Sequence, residues 1–415
     1  LAVALTFAGS LMAAPTVDSE KAADRPLPWQ KTAKFGQMHA DLGGLVNKWP
    51  GYGSFEEARR ILDDALRYSS SIYSNEEKYR SYMRACRDAK RYTGGAHRYE
   101  RLIDILMRSA DKAGTYRDSA QALQGGMEFL VRGNGGQYMT QDILNLGLSE
   151  TRGSMGSYEN AYKILFSIVT EAKIDAQNED QQWHSVLSFT KTGADQTKTW
   201  RNGYLVLERI CHTVTYTQHG QTVFLRALAA IADANLDNSQ DTYKVIVAGL
   251  RQYGRDCPSD THRALAQYLI TCADKIKTWN SAARLLEAAV KKMQGLDLNV
   301  SAKVLLRAGR DLSKISLSSN EDQYHVAVEA LRRTARMNVP DYVRRECQSG
   351  VRRAERASTY YEGLRIAQEA IEYALRGNGG GFNPPNPPNP PYNPPYNPPY
   401  NPPYNPPYEP TPPSW

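Results

Sequence analysis

An aromatic residue followed by small or aliphatic residues three, six and seven positions later returns seven or eight times along this 415-residue chain. Phe55/Ala58/Ile61/Leu62, Tyr158/Ala161/Ile164/Leu165 and Tyr324/Ala327/Ala330/Leu331 are the clearest copies, and weaker ones start at Tyr99, Tyr204, Tyr243, Ala282 and Tyr360. That spacing places the apolar residues on one face of an α-helix. From Tyr204 onward the starts are about 40 residues apart, room for two helices and two short turns. The pattern therefore predicts an all-α chain, an α-solenoid of stacked helical hairpins. Its seams of tyrosine and alanine, the Tyr158 and Tyr324 rings included, are expected to lie buried between neighbouring hairpins.

Proline usage divides the chain. Of its 23 prolines, 17 fall between Pro384 and Pro413, and only Pro15, Pro26, Pro28, Pro50, Pro258 and Pro340 precede them. A body so poor in proline can be helical throughout, because an interior proline costs a helix about 3 kcal/mol. A mean hydropathy of −0.58 argues against a membrane span. Leu1 to Ala14 is apolar, uncharged and rich in small residues, which resembles the end of a secretory signal cut between Ala13 and Ala14. An extracytoplasmic location, periplasmic or secreted, is the expectation that follows.

Four segments succeed the partial signal of residues 1–13. Residues 14–53 read as a linker with one short helix around Phe35, Met38, Leu42 and Leu45. Helical repeats occupy 54–136, opening at the capping box Ser54–Glu57, and resume over 137–380. The sequence EFLVRGNGG at 128–136 returns as EYALRGNGG at 372–380. A phosphate-binding loop would follow a strand and carry GxGxxG or GK[ST] spacing, which is absent. Both copies instead predict a helix stop, with Gly133 and Gly377 in the left-handed conformation. Lys-Thr-Trp triplets at Trp200 and Trp279 mark turns into helices, and Asp195, Asp233, Asp274 and Asp311 each end one.

The hairpin unit, with aromatic and alanine positions on its first helix and small residues on its second, resembles the tetratricopeptide-like class over roughly residues 54–376. The period is longer than that family's roughly 34 residues and its W-x₂-L-G-x₂-Y opening is missing, so the resemblance is to the broad class. It implies non-catalytic protein–protein scaffolding. Superhelical lytic transglycosylases carry a catalytic domain after their helices; here the repeats run directly into the proline tail.

Signatures of chemistry are missing. There is no HExxH, Cys-x-x-Cys or G-x-S-x-G, and His212 and His219 are separated by an expected turn. No cofactor or metal is called for. Cys86, Cys211, Cys272 and Cys347 read as small buried hydrophobes. Cys257 and Cys272 bracket a helix and stand too far apart for a disulfide.

The net charge of +7 belongs to the helical body. Arg80, Arg84, Arg87 and Arg91 line one side of a helix, and Arg345, Arg352 and Arg356 line one face of the helix after Pro340. Such stripes serve an anionic partner, a cell-envelope polymer or lipid headgroup, or else form solvated faces with Asp88, Glu346 and Glu355 interleaved. Nucleic acid is disfavoured as the partner of an exported protein. Residues 381–415 form a low-complexity tail with five tandem Asn-Pro-Pro-Tyr units. Its prolines favour a polyproline II rod rising about 3.1 Å per residue. Because a turn takes three residues and the repeat is four, Tyr392, Tyr396, Tyr400, Tyr404 and Tyr408 point to all sides. The rod either spaces the body or presents these rings for recognition. The whole reads as an exported helical-repeat scaffold for a protein or peptide partner, with binding to anionic envelope polymer as the alternative.

Overall fold

The computed structural model describes residues 55–133, 137–153, 155–218, 223–256, 259–293 and 303–376. They are all-helical, with no strand among them. Sixteen helices follow in order: α1 Glu56–Ser69, α2 Asn75–Arg91, α3 His97–Ala110, α4 Tyr116–Arg132, α5 Met139–Glu150, α6 Tyr158–Glu179, α7 Gln181–Asp195, α8 Trp200–Thr215, α9 Val223–Ala232, α10 Ser239–Asp256, α11 Asp260–Lys275, α12 Trp279–Met293, α13 Lys303–Leu312, α14 Asn320–Arg336, α15 Asp341–Glu355 and α16 Tyr360–Arg376. The signal, the linker, Ser54 of the expected capping box, Cys257, His219, Gly377 and the tail lie outside the described residues.

Each helix packs on the next, and each odd-numbered helix from α1 to α13 also packs on the helix three further along. That connectivity is solenoid-like, as the hydrophobic period predicts. One continuous apolar core runs from Phe55 to Ala374. Gly133 ends α4 in the left-handed conformation, φ 65°, and Trp200 and Trp279 open α8 and α12.

The repeat has a different landmark from the one the aromatic pattern supplies. Every even-numbered helix is capped by a side chain that accepts a hydrogen bond from the backbone N–H three residues on. The caps are Ser74, Thr115, Ser157, Thr199, Asn238, Thr278, Ser319 and Thr359. They recur every 39 to 42 residues from one end of the array to the other. Measured from these caps, Tyr158 and Tyr360 occupy the first helical position, whereas Tyr204, Tyr243 and Tyr324 occupy the fifth. The aromatic copies were thus aligned one helical turn out of step, which leaves the buried face unchanged. Phe55 and Tyr99 belong to the other series, on α1 and α3, and stack on each other at 4.8 Å. Helix α5, between Gly136 and Gly156, packs on α4 in step with the rest.

Burial of the rings also needs correction. Ala161, Ile164 and Leu165 are fully inside, but Tyr158 is 49% exposed and Tyr324 half-buried. A ring at the first turn of a helix sits at the end of the stack, and a phenol keeps its hydroxyl where a polar partner or water can reach it. These rings work at the junctions between successive even helices. Tyr79 packs on Tyr116, Tyr162 on Trp200, Tyr243 on Trp279 and Tyr324 on Tyr360, with centroids 4.8–5.4 Å apart. In three of the four, the inner tyrosine donates its hydroxyl to the aspartate at the end of a following odd helix: Tyr79 to Asp111, Tyr162 to Asp195, Tyr243 to Asp274. Asp311, by contrast, pairs with Lys292 and Arg310, and Asp233 with Lys291.

The intervening junctions are polar. Between α4 and α6, Asn160 donates to Asp118 at 2.6 Å, while Gly114 N–H donates to Asn160 and Gly156 N–H to Asp118. Between α8 and α10 the same arrangement recurs with the two residue types exchanged. Asn202 donates to Asp241 at 2.7 Å, Lys198 N–H donates to Asp241, and Asp237 N–H donates to Asn202. Between α12 and α14, Ser281 accepts from the Ser318 N–H. Helix packing follows the alternation: α2 packs on α4, α6 on α8, α10 on α12 and α14 on α16, whereas at the polar junctions α3 packs on α5, α7 on α9 and α11 on α13. The structural unit is therefore four helices, about two sequence repeats.

Two substitutions distinguish the junction types. Tyr162→Phe keeps the ring against Trp200 and loses the bond to Asp195, so chemical denaturation should show a loss of about 1–2 kcal/mol. Asn202→Ala leaves the buried Asp241 carboxylate and the Asp237 N–H without that amide, and should cost about 2–3 kcal/mol.

Candidate partner-binding groove

A groove of about 730 Å³ lies between α4, α5 and the C-terminal end of α8. Helix α4 contributes Gln121, Gln124, Glu128 and Arg132, one face at a spacing of three and four. Gln141, Asn145 and Ser149 come from α5 at a spacing of four. Phe129 and Tyr216 bring aromatic surface, Tyr216 standing 78% exposed at the end of α8 with His212 stacked on it. Arg132 and Arg152 add positive charge.

Packing beneath the groove fixes its width. A Cβ at Gly125 would stand 2.1 Å from the Ser149 carbonyl oxygen, so only glycine lets α4 approach the end of α5 this closely. Met139 and Thr140 N–H, free at the start of α5, donate to the Glu179 carboxylate at 2.9 and 3.0 Å, where a negative charge also suits the helix dipole. Gln141 reaches the carbonyls of Thr215 and Thr217 at 3.1 Å and ties α5 to the end of α8. Gln124 donates to Glu128. Gln121 and Asn145 make no side-chain hydrogen bond to another described residue, so their amides face the groove with donor and acceptor available.

Directly below lies Glu150, fully buried, with Ser109 Oγ donating to one carboxyl oxygen at 2.6 Å and no partner on the other. Burial pushes its pKa well above the ordinary carboxylate range, against the lesser pull of the Ser109 bond. Burial therefore favours its neutral form over the charged one. The thiols are equally inert: Cys86, Cys211, Cys272 and Cys347 are buried, and burial raises all four, Cys86 and Cys347 to about 12. No cluster of three metal-ligating side chains occurs among the described residues.

The arginines named from sequence do not gather at the groove. On α2, Arg80 pairs with Glu76 at 2.7 Å and Arg91 with Asp88 at 3.5 Å, Arg84 is half-buried and Arg87 exposed. On α15, Arg345, Arg352 and Arg356 are all exposed. Tyr392, Tyr396, Tyr400, Tyr404 and Tyr408 lie outside the described residues. Sequence reasoning missed the groove because its residues are common polar types from three separated helices. The one available signal was the Gln141, Asn145, Ser149 stripe, set into a helix that is otherwise apolar on most of its surface.

Comparison of the chain with protein-family models, with curated proteins and with solved structures finds no match in any of the three.

The raised pKa of Glu150 fixes the sign of a pH effect. Its stabilisation is fully present below the unfolded-state carboxylate pKa and is lost as pH rises through the raised folded value. Denaturation midpoints measured across that range should fall for the wild type, and Glu150→Gln should flatten the dependence. At the groove floor, Gly125→Ala should destabilise by about 1–3 kcal/mol through overpacking.

Proposed function

We propose that the protein is an exported, non-catalytic helical-repeat scaffold that holds an extended peptide segment of a partner protein in the groove between α4, α5 and α8. The observation that carries this reading is the lining of that groove: free amides beside exposed aromatic surface. An extended peptide offers alternating N–H and C=O groups, and an amide side chain can answer either one. Tyr216 and Phe129 supply ring faces for side chains, the residue types on which interface energy concentrates. Helical solenoids present such concavities on a rigid support.

Export rests on the apolar segment Leu1 to Ala14, and the Asn-Pro-Pro-Tyr tail serves as tether or spacer for the body. Proline-rich rods reach far for their mass, which suits either role.

A display library of random linear peptides panned on the full chain tests the groove. Enriched peptides should retain binding at raised salt, because the contacts are mainly amide and aromatic. They should lose roughly tenfold or more in affinity on Tyr216→Ala combined with Gln121→Ala, about 1.4 kcal/mol or more, while the helical circular dichroism stays unchanged. Peptides that bind the double variant as well as the wild type would show that the groove is not the site.

A further inference from the structure

Nine arginines lie between Arg332 and Arg365, and the acidic groups around them are already taken. Arg332 holds Glu355, Arg333 holds Glu329 at 3.0 Å, Arg344 holds Asp341 at 3.1 Å, Arg353 holds Glu346 at 3.0 Å and Arg365 holds Glu369 at 2.7 Å. Glu362 is bonded to Ser358. Arg345, Arg352 and Arg356 have no carboxylate within ion-pairing distance among the described residues. The nearest bond to any of them is Arg345 Nε to the Asp341 carbonyl, 3.4 Å.

Helix geometry sets these three in one line. Val343, Cys347, Gly350 and Ala354 are buried, and a Cβ on Gly350 would meet that of Ala370 at 2.4 Å, so α15 is pressed onto α16. At 100° per residue, Arg345, Arg352 and Arg356 fall diametrically opposite that buried face. The half-exposed ring of Tyr342 lies on the same ridge. Spacings of seven and four residues separate the arginine Cα atoms by about 10 and 6 Å along the axis. The stripe on α2 differs: two of its four arginines are neutralised within their own helix.

We infer that the ridge of Arg345, Arg352 and Arg356 on α15 is a binding site for a linear phosphate-bearing polymer. Guanidinium groups bind phosphate oxygens in pairs of parallel hydrogen bonds, and a row of them matches a chain that carries charge at every repeat. The ridge contains none of the residues that line the groove, and its three guanidinium groups stand on an exposed helix face. A membrane surface fits less well. The apolar residues of α15 are buried in the core, leaving Tyr342 as the one exposed ring to enter an acyl layer. This site is independent of the groove, on different helices and with opposite salt behaviour.

The test uses the full chain and fluorescently labelled inorganic polyphosphate of several tens of units, with orthophosphate and anionic phospholipid vesicles as parallel probes. Arg345→Gln, Arg352→Gln and Arg356→Gln together should weaken polymer binding roughly tenfold or more at low salt. The slope of log affinity against log salt should shrink by about two, at roughly 0.7 per lost phosphate contact. A control removes the same charge from arginines paired within their own helices elsewhere, Arg67→Gln, Arg263→Gln and Arg365→Gln. It should change affinity less than about threefold. Equal losses in both triple variants, or an unchanged salt slope, would overturn the assignment by reducing it to net charge. Vesicles bound more tightly than polymer through the same three arginines would overturn it in favour of a lipid surface. Circular dichroism confirms that each variant is folded before its binding is read.

Discussion

A helix begins with backbone N–H groups that have no partner inside it, and the architecture of this protein follows from how that need is met. Eight times a serine, threonine or asparagine supplies the missing acceptor. A capped start fixes where each even helix begins, and thereby which residues stand at its first turn. Those first-turn residues then meet their counterparts on the neighbouring even helix. Cap spacing of about 40 residues is what lets one junction after another close in the same way.

The junctions are not all alike. Aromatic ones set ring against ring and let the even helices lie together; polar ones join helix ends through Asp118–Asn160 and Asn202–Asp241. Buried aspartates at these ends are tolerable because backbone N–H groups and an amide surround them. Glu150 shows the other solution to the same problem. Ser109 donates to one of its carboxyl oxygens, and burial raises its pKa well above the ordinary carboxylate range.

Functional surface arises where this packing scheme leaves side chains over. The groove beside α4 and α5 collects amides not spent on holding helices together. The ridge on α15 collects guanidinium groups left after nearby carboxylates are matched to other arginines. The arginine stripe was legible in the sequence, but which of its members lack a carboxylate was not, and the groove was not legible at all. Gln121 and Arg352 are ordinary surface residues in the sequence, and only the inventory of who bonds whom separates them from Gln124 and Arg353. The aromatic pattern illustrates a subtler limit. Residues one helical turn apart share a face, so Tyr158 and Tyr204 were read as equivalent though they stand at the first and fifth positions of their helices.

The sequence by itself determined that this body is helical, that its helices pack as a solenoid, and which aliphatic and alanine positions face the core, because apolar periodicity and proline scarcity act locally. It also determined the helix stop at Gly133 and the burial of Cys86, Cys211, Cys272 and Cys347. Tertiary structure alone decided that junctions alternate between aromatic and polar, that Tyr162 reaches Asp195, and which arginines remain without a carboxylate. These are pairings between residues tens of positions apart, and periodicity carries no information about which of several equivalent surfaces will touch.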